Sequence, residues 1–372
     1  MLKRLIKILI FSIITISILW LGINHIYRFK EPDPMNELVS SIIKVEDQFS
    51  TEKIQDEEDL FQTIEKGLLE GKDSIIIDNK LINDDGSFLF DTIEQVLMSN
   101  PEIMYYKGGR YRKGLLSFEY SKPIEDIKLH QEAIRKKRDE IILHNIRSDM
   151  SDYEKVKTIH DYIIDITKYD RRYLNDEEVP DESHSVYGVL NEGVALCGGY
   201  AKTMKYLLDA VDIECIVVIG KTKYDNHAWN IIKIDGYYYH IDATWDDPVT
   251  ADGSDVLSYD YFNLKDEDIE KTHSWNRADY PQCNSDKHNY YYYNGLVVNS
   301  YNDFYNRIEK SLLNKNKVFQ IKVLGFDEEI YNIPNTINVI VNDKIQLIDI
   351  KDYRYRINDE QGIVTIEFNY NR

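Results

Sequence analysis

The chain of 372 residues is 43% apolar and 30% charged, which fits a folded protein of two or three domains and excludes a disordered one. Its net charge of −20 argues against a nucleic-acid partner, because phosphate binding needs clustered Lys and Arg; the acidity reads as solubility. Three cysteines, Cys197, Cys215 and Cys283, are odd in number and none lies in a CxxC pair, which excludes a disulfide framework and a zinc-ribbon or thioredoxin-type motif.

The first element is apolar. Lys3, Arg4 and Lys7 precede an uncharged run from Ile8 to Tyr27. Twenty residues at about 1.5 Å each span roughly 30 Å, the thickness of a bilayer core. Trp20 and Tyr27 suit the interface, and no Ala-x-Ala-like cleavage site follows. The expectation is an uncleaved single-pass anchor over residues 1–30, N-terminus inside and acidic body outside. Glu31-Pro-Asp-Pro34 then forms a short extended spacer.

Two later segments match at one fixed offset. Ile64-Glu-Lys-Gly-Leu-Leu69 resembles Ile308-Glu-Lys-Ser-Leu-Leu313, and Lys107-Gly-Gly-Arg-Tyr-Arg112 resembles Lys351-Asp-Tyr-Arg-Tyr-Arg356; 308 less 64 and 351 less 107 both give 244. Each helix-like stretch leads into a β-rich run, Ser74–Asp78 or Val318–Val323, and each segment closes on a strand pattern, Leu115–Tyr120 or Ile363–Phe368. The expectation is two copies of one small α+β module, at 35–122 and 290–372, with the chemistry between them.

Between the copies, a charged stretch around 124–147 reads as a helical connector within 123–150. Ser151-Asp-Tyr-Glu154 is a capping-box pattern before Val156, Ile159, Ile163 and Ile166, which predicts a helix of about four turns. A second helix is predicted from Cys197 to about Val211, with Tyr200, Ala201, Met204, Leu207, Leu208 and Val211 on its apolar face. Strand-like runs follow at Glu214–Ile219, Ala228–Ile234 and Tyr237–Asp242. Asp235-Gly236 between the last two is a two-residue hairpin signal.

That hairpin sets a register in which Ile234 faces Tyr237 and His227 and Asp242 become diagonal neighbours on one face. A carboxylate there orients an imidazole and stabilises imidazolium. His240 is expected on the opposite face. Cys197 sits at a predicted helix start, where the macrodipole and free N–H groups favour a thiolate, and Gly198 and Gly199 remove bulk beside the sulfur, letting a substrate or backbone approach closely. Cys197, His227 and Asp242 are therefore the candidate catalytic residues. Cys215 reads as core and Cys283 as a loop thiol. Trp229 and Trp245 read equally as packing or as the lining of an acyl tunnel. Asp246-Asp247-Pro248 reads as a turn and Tyr290–Tyr293 as a strand.

Gly193-Val-Ala-Leu-Cys197-Gly-Gly-Tyr-Ala201, Asn226-His227-Ala-Trp-Asn230 and Asp242-Ala-Thr-Trp-Asp-Asp-Pro248 together resemble the core of the transglutaminase-like superfamily, and Tyr261-Phe-Asn263 is similar to its bacterial members. The resemblance covers about 150–265. It implies an α+β, papain-like centre at 151–285, a Cys-bearing helix packed on an antiparallel sheet. It also implies acyl transfer from glutamine side chains or related amides, through a thioester, to an amine or to water. The substrate would be a protein or peptide at the cell surface. No cofactor, metal or calcium site is called for, since no EF-hand-like loop appears. An extra oxyanion donor upstream of the cysteine, used by some members, has Tyr169 and Tyr187 as candidates. The competing reading is a non-catalytic surface-binding protein that keeps the fold. A weaker one makes His227, Asp242 and His240 a metal site.

Overall fold

The computed structural model describes residues 57–77, 87–248, 257–344 and 347–371. The apolar run Ile8–Tyr27 lies outside them. Among the described residues no helix is long and apolar enough to cross a membrane.

The first elements are α1 (Glu57–Leu69), β1 (Ser74–Ile76), α2 (Ser87–Ser99), β2 (Tyr106–Arg112) and β3 (Leu115–Tyr120). Helix α1 buries Leu60, Ile64 and Leu68, one side of a 3.6-residue period. The strands pair antiparallel in the order β1-β3-β2. Helix α3 (Ile124–Asn145) then leads to α4 (Asp152–Ile166). The capping box at α4 is formed: Glu154 N–H donates to the Ser151 hydroxyl at 3.3 Å, and Ser151 N–H donates to the Glu154 carboxylate at 2.8 Å. Its buried side chains include Val156, Ile159 and Ile163, the run that predicts it.

The centre continues with β4 (Lys168–Tyr169), the short α5 (Arg171–Leu174), β5 (Val194–Ala195) and α6 (Cys197–Asp209). A sheet follows from β6 (Cys215–Thr222), β7 (Asn226–Ile234) and β8 (Tyr237–Ile241), and after the short α7 (Asp266–Ile269) from β9 (His273–Trp275). Its order is β8-β7-β6-β9, all antiparallel. Ala201 of α6 packs on Val217 and Ala228, so the helix lies across β6 and β7. The hairpin register is Ile234 opposite Tyr237, and Asp235 and Gly236 both take positive φ, 50° and 82°, as a two-residue primed turn requires.

Tyr290–Tyr293 is a short helix, α8, and not the strand its β-propensity suggests. Asn289 caps it by accepting from Tyr291 N–H, and Tyr291 is buried with its hydroxyl donating to Asp260 at 3.2 Å. Tyr290 and Tyr293 stack on Tyr259 and Tyr153, so tertiary contacts on three sides override local preference.

The chain ends with β10 (Val297–Val298), α9 (Tyr301–Leu313), β11 (Val318–Val323), α10 (Ile333–Asp343), β12 (Ile350–Asn358) and β13 (Ile363–Tyr370). From α9 onward the element order is that of α1 to β3. The starts of α1 and α9, β1 and β11, and β2 and β12 are each 244 residues apart: 57 and 301, 74 and 318, 106 and 350. The strand order β11-β13-β12 also mirrors β1-β3-β2, with β10 added at the edge. Arg356 of β12 reaches back to the centre, donating to Asp260 at 2.6 Å, and Asn358 adds a bond to the same carboxylate at 3.0 Å.

Candidate active site

Cys197 is the first residue of α6, so the helix N-terminus and its unpaired N–H groups lie at the sulfur. Strand β5 holds the approach to it, pairing with β4 through Tyr169 opposite Ala195. Gly199 is confined: a Cβ there would meet the Ser183 carbonyl and the Ala195 methyl, both at 2.8 Å. Its missing side chain lets the backbone of Ser183 approach closely. A Cβ on Gly198 would meet only the His184 carbonyl, at 3.9 Å, so the space beside Cys197 is open on that side.

His227 lies on β7 and Asp242 just past the end of β8. His227 Nε2 stands 2.7 Å from Asp242 Oδ2, and both side chains are buried. With Nε2 engaged, Nδ1 is the nitrogen left to face Cys197. Burial alone would push the His227 imidazole down. The Asp242 charge and hydrogen bond, followed by the hydrogen bond and charge of Cys197, outweigh it and raise the imidazole to about 10. Burial likewise works against ionisation of Asp242, but His227 and then His273 hold it well below the usual carboxylate range. The site thus favours imidazolium beside the sulfur.

Asp242 is fixed by more than the sequence suggests. Its Oδ1 accepts the backbone N–H groups of Thr244 at 3.0 Å and Trp245 at 3.1 Å, while His273 Nε2 lies 3.1 Å from the same Oδ2 that meets His227. His273 is not singled out by the sequence. Its strand β9 is three residues long, too short for a period to show.

His240 corrects an expectation. It pairs with Ile231, and residues two apart on a strand share a face, so His240 lies on the side of Trp229, His227 and Asp242. It is nevertheless taken up elsewhere: Trp229 Nε1 donates to His240 Nδ1 at 3.0 Å, which leaves the ring proton on Nε2 to donate to Asp266 at 2.8 Å. That tautomer offers no lone pair to an ion, so His240, Asp266 and Cys283, which converge, form a closed hydrogen-bonded chain. Trp229 is fully buried beneath His227, its indole stacked 6.0 Å away at 19°, and acts as packing. Trp245 is partly exposed, its ring 6.1 Å from that of His227.

Of the two tyrosines upstream, Tyr187 is stacked on His130 of α3 at 3.7 Å. Tyr169 lies within electrostatic reach of Cys197, as does Tyr173; burial first, and then the Cys197 charge, push Tyr169 up. The Tyr173 hydroxyl donates to Asp225, tying α5 to the turn that precedes His227. Met98 of α2 packs with Cys197 against Ala201, Val217 and Ala228, which brings the first flank to the site's edge.

Asp246 and Asp247 do form a turn, but a wired one. Asp246 Oδ2 lies 3.1 Å from His160 Nε2 and its Oδ1 accepts Tyr261 N–H at 2.8 Å; Asp247 accepts the Tyr200 hydroxyl at 2.6 Å. Cys215 is buried as expected. Cys283 lies in a loop and is also buried, against Trp229 and Leu264.

Residues 141–243, which include all three candidate residues, match the family profile of the transglutaminase-like superfamily. The mouse (Mus musculus) kyphoscoliosis peptidase is 22% identical over 132 residues, covering 32% of this chain and 20% of that protein. Among solved structures, one described as a TGase overlaps 37% of this chain and 43% of its own at 16% identity and a TM-score of 0.28. A candidate cysteine protease from Cytophaga hutchinsonii overlaps 33% and 42% at 19% identity and a TM-score of 0.26. The segment 141–243 is thus what this chain shares with the transglutaminase-like superfamily.

Proposed function

We propose that the chain is a cysteine acyl-transfer enzyme acting on glutamine side-chain or peptide amides of proteins at the cell surface. The observation that carries this reading is the His227–Asp242 contact of 2.7 Å placed beside a cysteine at a helix N-terminus. In the reaction, Cys197 thiolate attacks the amide carbon and a C–S bond forms. The negative charge on the carbonyl oxygen develops near the first N–H groups of α6, with Tyr169 as a candidate further donor. Collapse of this intermediate breaks the C–N bond, and His227 imidazolium gives its proton to the leaving amine. Water or a primary amine then attacks the thioester, losing a proton to His227 and restoring the thiolate. Asp242 holds the imidazole in one tautomer throughout. Hydrolysis is the favoured outcome, because water is abundant outside a cell and no acceptor site is legible. The run Ile8–Tyr27 would hold the body at the membrane, and extraction of the full chain from membranes by detergent but not by carbonate would support this.

The test is mass spectrometry of cell-surface proteins incubated with the full chain and a labelled primary amine. Amine incorporation at Gln means transferase, a +1 Da change means deamidase, and new termini mean peptidase. Each should vanish with Cys197→Ala. Turnover undiminished in that variant overturns the reading, and an unreactive Cys197 whose chain still binds surface material favours a non-catalytic binding protein.

A further inference from the structure

We propose that His273 is a positioning residue for this site: by donating to the same Asp242 oxygen as His227, it completes the carboxylate's set of donors and keeps Asp242 ionised and aimed. This rests on the assignment of Cys197, His227 and Asp242 above. A carboxylate offers about four lone-pair sites. Asp242 fills them with His227 and His273 on Oδ2 and the N–H groups of Thr244 and Trp245 on Oδ1. With every site used, the carboxylate cannot rotate away from His227. The backbone donors come from the turn that follows β8, and His227 comes from β7. His273 alone comes from β9, the far edge strand, where it lies opposite Thr222 of β6. The site is therefore closed across the sheet by a residue outside the segment that matches the family.

The surroundings of His273 fix its direction. Its Nδ1 lies 2.8 Å from the Thr272 hydroxyl, and its ring is boxed by Trp229 at 5.0 Å, Trp245 at 4.6 Å and Tyr261 at 5.6 Å. A buried histidine satisfied by neighbours needs no functional reading, but packing alone does not require both imidazoles to meet at one oxygen. The ionisable groups around the pair are Cys197 from α6, His227 from β7, Tyr261 in the loop before α7, and His240 from β8. Hydrogen bonds to a carboxylate favour its ionised form, and the His273 bond is one of those that keep Asp242 low. Without that donor, Asp242 takes up its proton at higher pH. His227 then loses its counter-charge sooner as the pH falls, and its activation of Cys197 weakens with it.

The experiment is the rate of Cys197 alkylation by iodoacetamide against pH in the full chain, read at the Cys197 peptide, for wild type and for His273→Phe, His273→Asn and His273→Gln. Native fluorescence of each variant is checked at every pH. The Phe ring keeps the volume and removes the donor. The Asn amide stops one methylene short of the Gln amide, which still reaches Asp242. We expect the acid limb to move up by about one pH unit in the Phe and Asn variants and to return to the wild-type position in the Gln variant. Should the Phe variant not fold, the Asn and Gln profiles decide. Coincident acid limbs in every folded variant overturn the role of His273. A wild-type Cys197 that is itself unreactive overturns the acyl-transfer reading instead, so the two failures are distinct.

Discussion

His227 on β7 and Asp242 just past the end of β8, fifteen residues apart, meet at 2.7 Å with both side chains withdrawn from water. In such a setting the carboxylate decides which imidazole nitrogen carries the proton. Asp242→Asn keeps the shape but replaces the acceptor by a group that can present an N–H to Nε2, which favours the wrong tautomer. We expect Cys197 alkylation at neutral pH to fall on the order of 100-fold in Asp242→Asn, with the melting temperature little changed. Stopped-time alkylation with mass spectrometry reads the first quantity and calorimetry the second.

The same pair gives the fold a pH signature. His227 is raised from 6.5 to about 10, so its contribution is complete below 6.5 and is lost as the pH climbs towards 10. Asp242 is lowered from 3.8, so its contribution is complete above 3.8 and is lost as the pH falls through its depressed value. The excess melting temperature of wild type over His227→Ala is therefore expected to be greatest between about pH 4 and pH 6.5 and to shrink on either side. A difference that stays flat from pH 6.5 to 10 would show that His227 is not held charged.

His160 sits with Asp161 on Nδ1 and Asp246 on Nε2, both at 3.1 Å. Burial pushes the ring down, but the hydrogen bonds and charges of the two facing carboxylates outweigh it and raise the imidazole, while burial pushes Asp246 up to about 7. His160→Ala leaves the buried Asp246, four residues after Asp242, without this hydrogen-bond partner. The expected cost is about 1–3 kcal/mol in urea unfolding.

Much of the centre was legible because its signals are local. The capping box at Ser151, the helical spacing from Val156 to Ile163 and the Asp235-Gly236 turn each specify geometry within a few residues. The His227–Asp242 contact follows from that turn by counting along two strands. Counting parity the same way places His240 on their face too, and the expectation that it points away fails on this point alone. His273, His160 and Asp260 were not legible, because each acts through a contact set by tertiary folding. The tyrosines of α8 show the same limit, since stacking on Tyr153 and Tyr259 decides their conformation. The anchor expected over 1–30 lies outside the described residues.

The link from the last elements to the centre is also testable. Arg356 is the main charged donor to the buried Asp260, which keeps Tyr291 and Asn358 as lesser partners. Arg356→Ala is expected to cost about 1–3 kcal/mol in urea unfolding. Limited proteolysis should then release fragments cut between α8 and β12 sooner than in wild type. An unchanged cleavage pattern would mean that β12 is held by apolar packing alone.

The proposed role of Cys197, a nucleophile activated by His227, can be read by alkylating the native full chain with iodoacetamide at pH 6, where an ordinary thiol near pKa 8.5 is almost wholly protonated. Cys197 is expected to react at least about tenfold faster than a free thiol, buried Cys215 and Cys283 are expected not to react, and His227→Ala is expected to abolish the advantage. A Cys197 no more reactive at pH 6 than a free thiol, or one equally reactive without His227, would contradict that role.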